Sequence, residues 1–413
     1  MTNTKKKESI FIFLAIFGQL FASMNMSFTN SYLQETKDLS DIFFASNKLV
    51  FTYWILLTIL GRICGAYFFG KHADRFGILK SILSVSRNFV FLTLLCAVFC
   101  FTHEFSHEMD TGLYIIRFLY CFLEPAALIL PSLYLLNRRP QNQYKLSALL
   151  IGAVFVAKSA SYHLMYLPPA LMKFWYLVPL ITTSLSWAIY CHLEKHSESE
   201  KAPASNSLPM PFQKKVLNSL FGAACATGAF YHHFFVNYYS VNINIVDARF
   251  DLGSVMYYTL CGFFLFPAAK LSERFGLYKT ARISLGMLFL LGMNSILASP
   301  TSTMYAVQQL LFSFFSALFI APMMVVLHRL YKKYSSFSDT MFWFMLGFSL
   351  CTVLAFFEQQ LGFQKGFKGI GWCVYSASIF LCLIAIYKFR TDTILGAPRS
   401  KVDSVGDIKL FEA

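Results

Sequence analysis

One nine-residue string occurs twice in this chain, 199 residues apart (Arg75 to Arg274). It reads Ala73-Asp74-Arg75-Phe76-Gly77-Ile78-Leu79-Lys80-Ser81 and then Ser272-Glu273-Arg274-Phe275-Gly276-Leu277-Tyr278-Lys279-Thr280. Both copies run acid, Arg, Phe, Gly, two variable residues, Lys and a hydroxyl residue. Each follows one long apolar segment and precedes another. A second correspondence lies downstream: Pro131 precedes Arg138 and Pro322 precedes Arg329, seven residues in each case. Two matching features in matching positions imply two related halves.

The halves must sit in lipid. Of 413 residues, 56% are hydrophobic and only 14% charged, and 46 are Phe. A soluble domain of that composition would expose large apolar patches. Twelve apolar spans are expected, at 10–33, 49–70, 81–101, 112–136, 146–167, 171–192, 216–241, 250–269, 281–299, 302–327, 340–361 and 371–389. Most approach the ~20 residues that cross a bilayer. The run after Lys5-Lys6-Lys7 is full length and lacks a small-residue cleavage site, so it reads as the first membrane helix rather than a signal peptide.

The net charge of +14 does not call for nucleic acid. With the N-terminus inside, 25 Lys and Arg fall on the inner face and six on the outer: Lys37, Lys48, Lys173, Arg249, Lys365 and Lys368. That asymmetry places both termini in the cytoplasm and requires an even number of spans. Ten cysteines occur singly, with neither metal-ligand spacing nor a disulfide framework. The expected fold is therefore an all-α membrane protein, its twelve transmembrane helices forming two pseudo-symmetric six-helix bundles. The bundles would be residues 1–192 and 216–390, with a flexible cytoplasmic linker at 193–215 and a cytoplasmic tail at 391–413. The loops leave no room for a soluble catalytic domain, so no enzyme is expected.

Two halves of six spans with a charged glycine loop after spans 2 and 8 resemble the major facilitator superfamily. Its loop signature runs Gly-x-x-x-Asp-Arg-x-Gly-Arg-Lys. Gly70, Asp74, Arg75 and Gly77 match it, while Ile78 and Leu79 replace the Arg-Lys pair. In the second copy Ala269 replaces the leading Gly, and Glu273, Arg274 and Gly276 match. The entry to span 4, Arg117-Phe118-Leu119, is similar to metabolite:proton symporters of the proline/betaine and dicarboxylate type, without the glycines that follow the Arg there. The resemblance implies that the loops latch the halves on the inner side. Asp74 would approach the start of span 11 near Ser338-Asp339, where unpaired helix N–H groups favour an anion. Arg75 would hold a carboxylate or carbonyl, and Gly77 would permit the turn.

Ionisable groups in hydrocarbon cost about 2.5–3.5 kcal/mol or more, so they face water or a partner. Here they are Arg62 in span 2, Arg117 and Glu124 in span 4, Lys158 in span 5 and Glu358 in span 11, with Arg87 in span 3 near the inner surface, where it is expected to snorkel. Depth counting puts Glu124 and Lys158 within ~6 Å along the membrane normal. Glu124 is expected to carry a coupling proton, with Arg117 and Lys158 holding an anionic substrate group; a purely structural Glu124–Lys158 ion pair is the alternative. His232 and His233 in span 7 lie at a depth similar to that of Asn25 in span 1, and an imidazole there could relay protons.

Two motifs carry no weight. His103-Glu104-Phe105-Ser106-His107 has the spacing of a zinc protease but falls in a short outer loop. Gly65 to Lys71 nearly matches a phosphate loop, yet lacks the final Ser or Thr and a preceding strand. A gradient, not ATP, is thus the expected driving force, and no cofactor or metal is expected. The reading is a monomeric secondary active transporter working by alternating access, importing a small polar, carboxylate-bearing metabolite with protons. Export of a metabolite, siderophore or drug is the alternative. The expected location is a bacterial inner membrane.

Overall fold

The computed structural model describes residues 3–35, 48–102, 110–139, 142–164, 177–196, 209–226, 252–297 and 302–365. Every regular element among them is a helix. They are α1 (Asn3–Glu35), α2 (Lys48–Phe76), α3 (Ile78–Thr102), α4 (Asp110–Arg138), α5 (Gln143–Leu164) and α6 (Leu177–His196). Then come α7, the helical stretch 212–226, α8 (Leu252–Phe275), α9 (Leu277–Leu297), α10 (Ser302–Ile320), α11 (Met323–Tyr334) and α12 (Phe337–Lys365). The expected twelfth span, the tail and most of the linker lie outside the described residues.

Helices are what a long apolar chain must form in lipid, because each backbone polar group then finds its partner within the same segment. Four of the helices (α1, α3, α4 and α5), and α10 and α11 taken together, contain windows long and apolar enough to cross a bilayer. Large apolar side chains also face outward, among them Phe91 at 75% and Phe263 at 76% exposure. Water would penalise such a surface and acyl chains would not. The chain is an integral membrane protein.

The duplicated sequence is a duplicated structure. Gly77 (φ 92°) and Gly276 (φ 85°) both occupy the left-handed region, which costs a residue with a Cβ roughly 1–2 kcal/mol. The Gly77 N–H donates to Ala73 O and the Gly276 N–H to Ser272 O, each at 3.0 Å. A new helix begins at once. Ser81 Oγ and Thr280 Oγ1 then donate back to the carbonyls of Gly77 and Gly276, again at 3.0 Å. Acid, glycine and hydroxyl residue thus occur in the same order because each has a place in the same turn. These two turns define one face of the molecule, the loop face.

Around α1 pack α4, α5 and α6; α2 lies against α4; α8 packs on α10, and α9 on α10. The early and late helices meet along two antiparallel seams, α2 against α12 and α5 against α8. In the first seam Gly70 meets Ser338 and Tyr67 meets Phe342, ring centroids 5.7 Å apart. In the second, Ser159 Oγ lies 3.1 Å from Thr259 Oγ1, and the Phe155 ring is 5.7 Å from that of Tyr258. The α11 segment closes onto the ends of α4 and α5.

The two prolines matched in sequence behave differently. Pro131 sits inside an unbroken α4, whereas at Pro322 the expected span 10 divides into α10 and α11. A proline lacks the N–H that the helix ladder needs. At the break Ser147 of α5 supplies the missing partners: its Oγ donates to Ala321 O at 2.5 Å and accepts from Met324 N at 3.2 Å. A side chain from the early helices therefore enters the backbone of the late ones.

Candidate functional site: a membrane-embedded ion pair and two interlocks

The small residues of α2 create the ion pair. Gly61-Arg62-Ile63-Cys64-Gly65 is a Gly-x-x-x-Gly stretch, a pattern that lets helices approach closely in lipid. A Cβ on Gly61 would stand 2.7 Å from the Phe118 carbonyl of α4, and one on Gly65 would clash with that of Phe122. With the backbones so close, Arg62 faces Glu124 directly. Arg62 Nε donates to Glu124 Oε2 at 2.9 Å, and a terminal guanidinium nitrogen donates to Oε1 at 3.1 Å. The side chains are 14% and 15% exposed. This two-point geometry is the strong form of the contact.

The other embedded cations surround this pair without sharing its geometry. Arg117 Nε donates to Thr58 Oγ1 of α2 at 3.1 Å. Lys158 donates to the Tyr258 hydroxyl and lies over that ring, so this bond crosses the α5–α8 seam. Depth counting places Lys158 level with Glu124, but the two-point partner of Glu124 is Arg62. Asn25 and Glu358 lie on α1 and α12; their side chains, and His232 and His233 altogether, lie outside the described residues.

The first interlock is at the loop face. Asp74 accepts from the Phe337 N–H at 2.7 Å, the Ser338 N–H at 3.1 Å and the Ser338 hydroxyl at 2.6 Å. It therefore caps α12 from α2, satisfying N–H groups that no residue within the helix can reach. Gly70 makes the approach possible, since a Cβ there would be 2.6 Å from Ser338 Cα. Lys215, just before the α7 residues that pack on α12, pairs with Asp339 at 3.1 Å. Asn218 Nδ2 donates to Thr340 O at 2.8 Å. Arg75 is exposed. In the second copy Glu273 and Arg274 are exposed and Ala269 is buried.

The second interlock, at α11, was not anticipated from the motif. His328 is buried, its Nε2 2.6 Å from Asn137 Oδ1 at the end of α4 and its Nδ1 3.4 Å from Gln143 Nε2 at the start of α5. The acceptor carbonyl on Asn137 requires the proton on Nε2, leaving Nδ1 to accept from Gln143. Arg329 donates to the Tyr144 hydroxyl at 3.4 Å. The matched Pro-to-Arg spacing was the available signal, since His328 directly precedes Arg329. On α2, partial burial lowers the His72 imidazole below its ordinary value.

The arrangement has the fold of major facilitator superfamily transporters. The proton:xylose symporter XylE bound to 6-bromo-6-deoxy-D-glucose superposes with a TM-score of 0.69 at 14% identity, covering 93% of this chain and 96% of that one. The human organic anion transporter MFSD10 gives 0.66 at 11% identity, covering 93% and 100%. A bacterial homologue of the iron transporter ferroportin, in an outward-facing state, gives 0.67 at 13% identity, covering 92% and 99%. No protein-family model matches the sequence, and no curated protein matches it.

Proposed function

We propose that this protein is a secondary active transporter, and not an enzyme, that moves a small carboxylate-bearing metabolite by alternating access with coupled protons. Twelve spans would form two bundles, 1–192 and 216–390, rocking about a central chamber. Both termini and the loop face would be cytoplasmic, and the protein would act as a monomer in a bacterial inner membrane. The observation that carries this reading is the Arg62–Glu124 pair. Charges at membrane depth are costly and are kept where a substrate or proton passes. Glu124 would take the coupling proton, and Arg62 would compensate its charge when the proton leaves. Arg117 and Lys158 would meet the substrate anion. The likeness to a proton symporter and to an organic anion transporter supports this choice without extending their substrates to this chain.

The test is a thermal-shift screen of purified protein against carboxylates, amino acids and betaines, followed by uptake of each hit into proteoliposomes with and without an inward proton gradient. Gradient-stimulated uptake supports the reading. Binding with no solute exchange contradicts it and favours a sensor built on this scaffold. Accumulation driven only by an outward proton gradient favours the exporter of a metabolite, siderophore or drug.

A further inference from the structure

Gln308 on α10 is buried at 3% exposure, yet among the described residues neither Nε2 nor Oε1 has a hydrogen-bond partner. A buried carboxamide ordinarily fills its bonds, and an unfilled one in a native structure needs a reason. Its position supplies one. The Pro–Arg pairs ending the matched spans are 191 residues apart (Pro131 to Pro322, Arg138 to Arg329), and the same spacing carries Arg117 onto Gln308. Depth agrees with sequence. Arg117 lies seven residues into α4, Gln308 six into α10, Tyr258 six into α8 and Lys158 six before the end of α5. Each of those helix ends is opposite the loop face, so the four residues share one layer, about 10 Å below the far ends.

We infer that Gln308 is a ligand-contacting residue, the late-helix counterpart of Arg117, exposed to the chamber in the part of the cycle that binds substrate. This rests on the transport reading above and narrows its substrate. A carboxamide presents a carbonyl acceptor and two N–H donors. Its complement is a solute with both an acceptor and a donor near one another. With cations in the same layer to take a carboxylate, that solute is a hydroxy- or amino-carboxylate. A plain aliphatic acid would leave the Gln308 carbonyl unpaired.

Three measurements on the full chain test this. Gln308→Leu removes two unpaired polar atoms at similar volume, so the melting temperature of the purified protein rises, by on the order of 2 °C. A fall would show that the amide is a packing partner and would overturn the inference. Gln308→Cys in proteoliposomes is treated with a small water-soluble thiol reagent, and mass spectrometry locates the label. Modification at position 308 supports a chamber-lining role, and an unmodified position overturns it. Malate, citrate and glutamate are then offered as protectants, with butyrate as the control. Protection by at least one of the first three but not by butyrate supports the substrate class. Modification that none of them slows retains Gln308 as a lining residue and overturns the carboxylate assignment, separating this inference from the reading on which it rests.

Discussion

Asp74 caps a helix that begins 263 residues later: its carboxylate accepts from the backbone N–H of Phe337 at 2.7 Å. Two further donors from Ser338 complete the contact. The bond joins α2 to α12, and among the described residues Glu273 makes no corresponding cap. An anion at a helix N-terminus is favoured by both the free N–H groups and the dipole.

Asp74→Asn keeps the shape and removes the charge. Charge-assisted hydrogen bonds contribute about 1.5–3 kcal/mol, so the substitution should shift the balance between closed and open loop faces by roughly 10- to 100-fold. Accessibility of a thiol introduced by Phe342→Cys, in the same seam, should rise by a comparable factor when Asp74→Asn is also present. Unchanged accessibility would remove Asp74 from the latch.

The close approach of α2 and α4 depends on Gly65. Gly65→Ala drives a Cβ into the Phe122 carbonyl, which should cost about 1–3 kcal/mol in overpacking. The expected result is a lower melting temperature together with lost transport, because Arg62 and Glu124 separate. Wild-type stability would mean the helices are not held at this distance.

Glu124→Gln leaves the Arg62 guanidinium without its counter-charge, a loss of about 3–5 kcal/mol for an embedded pair. Arg62→Gln combined with Glu124→Gln should recover much of that stability. If Glu124 also carries the coupling proton, the stable double variant exchanges substrate down its gradient but no longer responds to a pH gradient. A double variant that still concentrates substrate on proton import would exclude Glu124 as the carrier.

Much of the fold is legible in the sequence, because lipid leaves the backbone few choices and the doubled loop fixes the repeat. The approach of Asp74 to Ser338 is what the family resemblance of the motif implies. The partner of Glu124 does not. Depth along α4 and α5 points to Lys158, whereas the geometry depends on which backbones come closest, and that is decided by Gly61 and Gly65. The motif likewise gives Pro131 and Pro322 equal status. Only the position of Ser147 shows why one is absorbed and the other divides its helix.

At the α11 interlock, Ser147→Ala leaves Ala321 O and Met324 N without the partner that Ser147 Oγ provides. Unmade buried bonds cost about 1–3 kcal/mol each. Hydrogen exchange should quicken across 321–325 and remain slow in the middle of α4. Uniform protection would show that the break satisfies itself without α5.

The loop face is expected to open and close about these interlocks. Spin labels at the exposed positions Lys80 on α3 and Lys333 on α11 allow their separation to be measured by double electron–electron resonance in purified protein. Two populations are expected, with the longer distance gaining weight in Asp74→Asn. A single distance, identical in the two proteins, would contradict that opening.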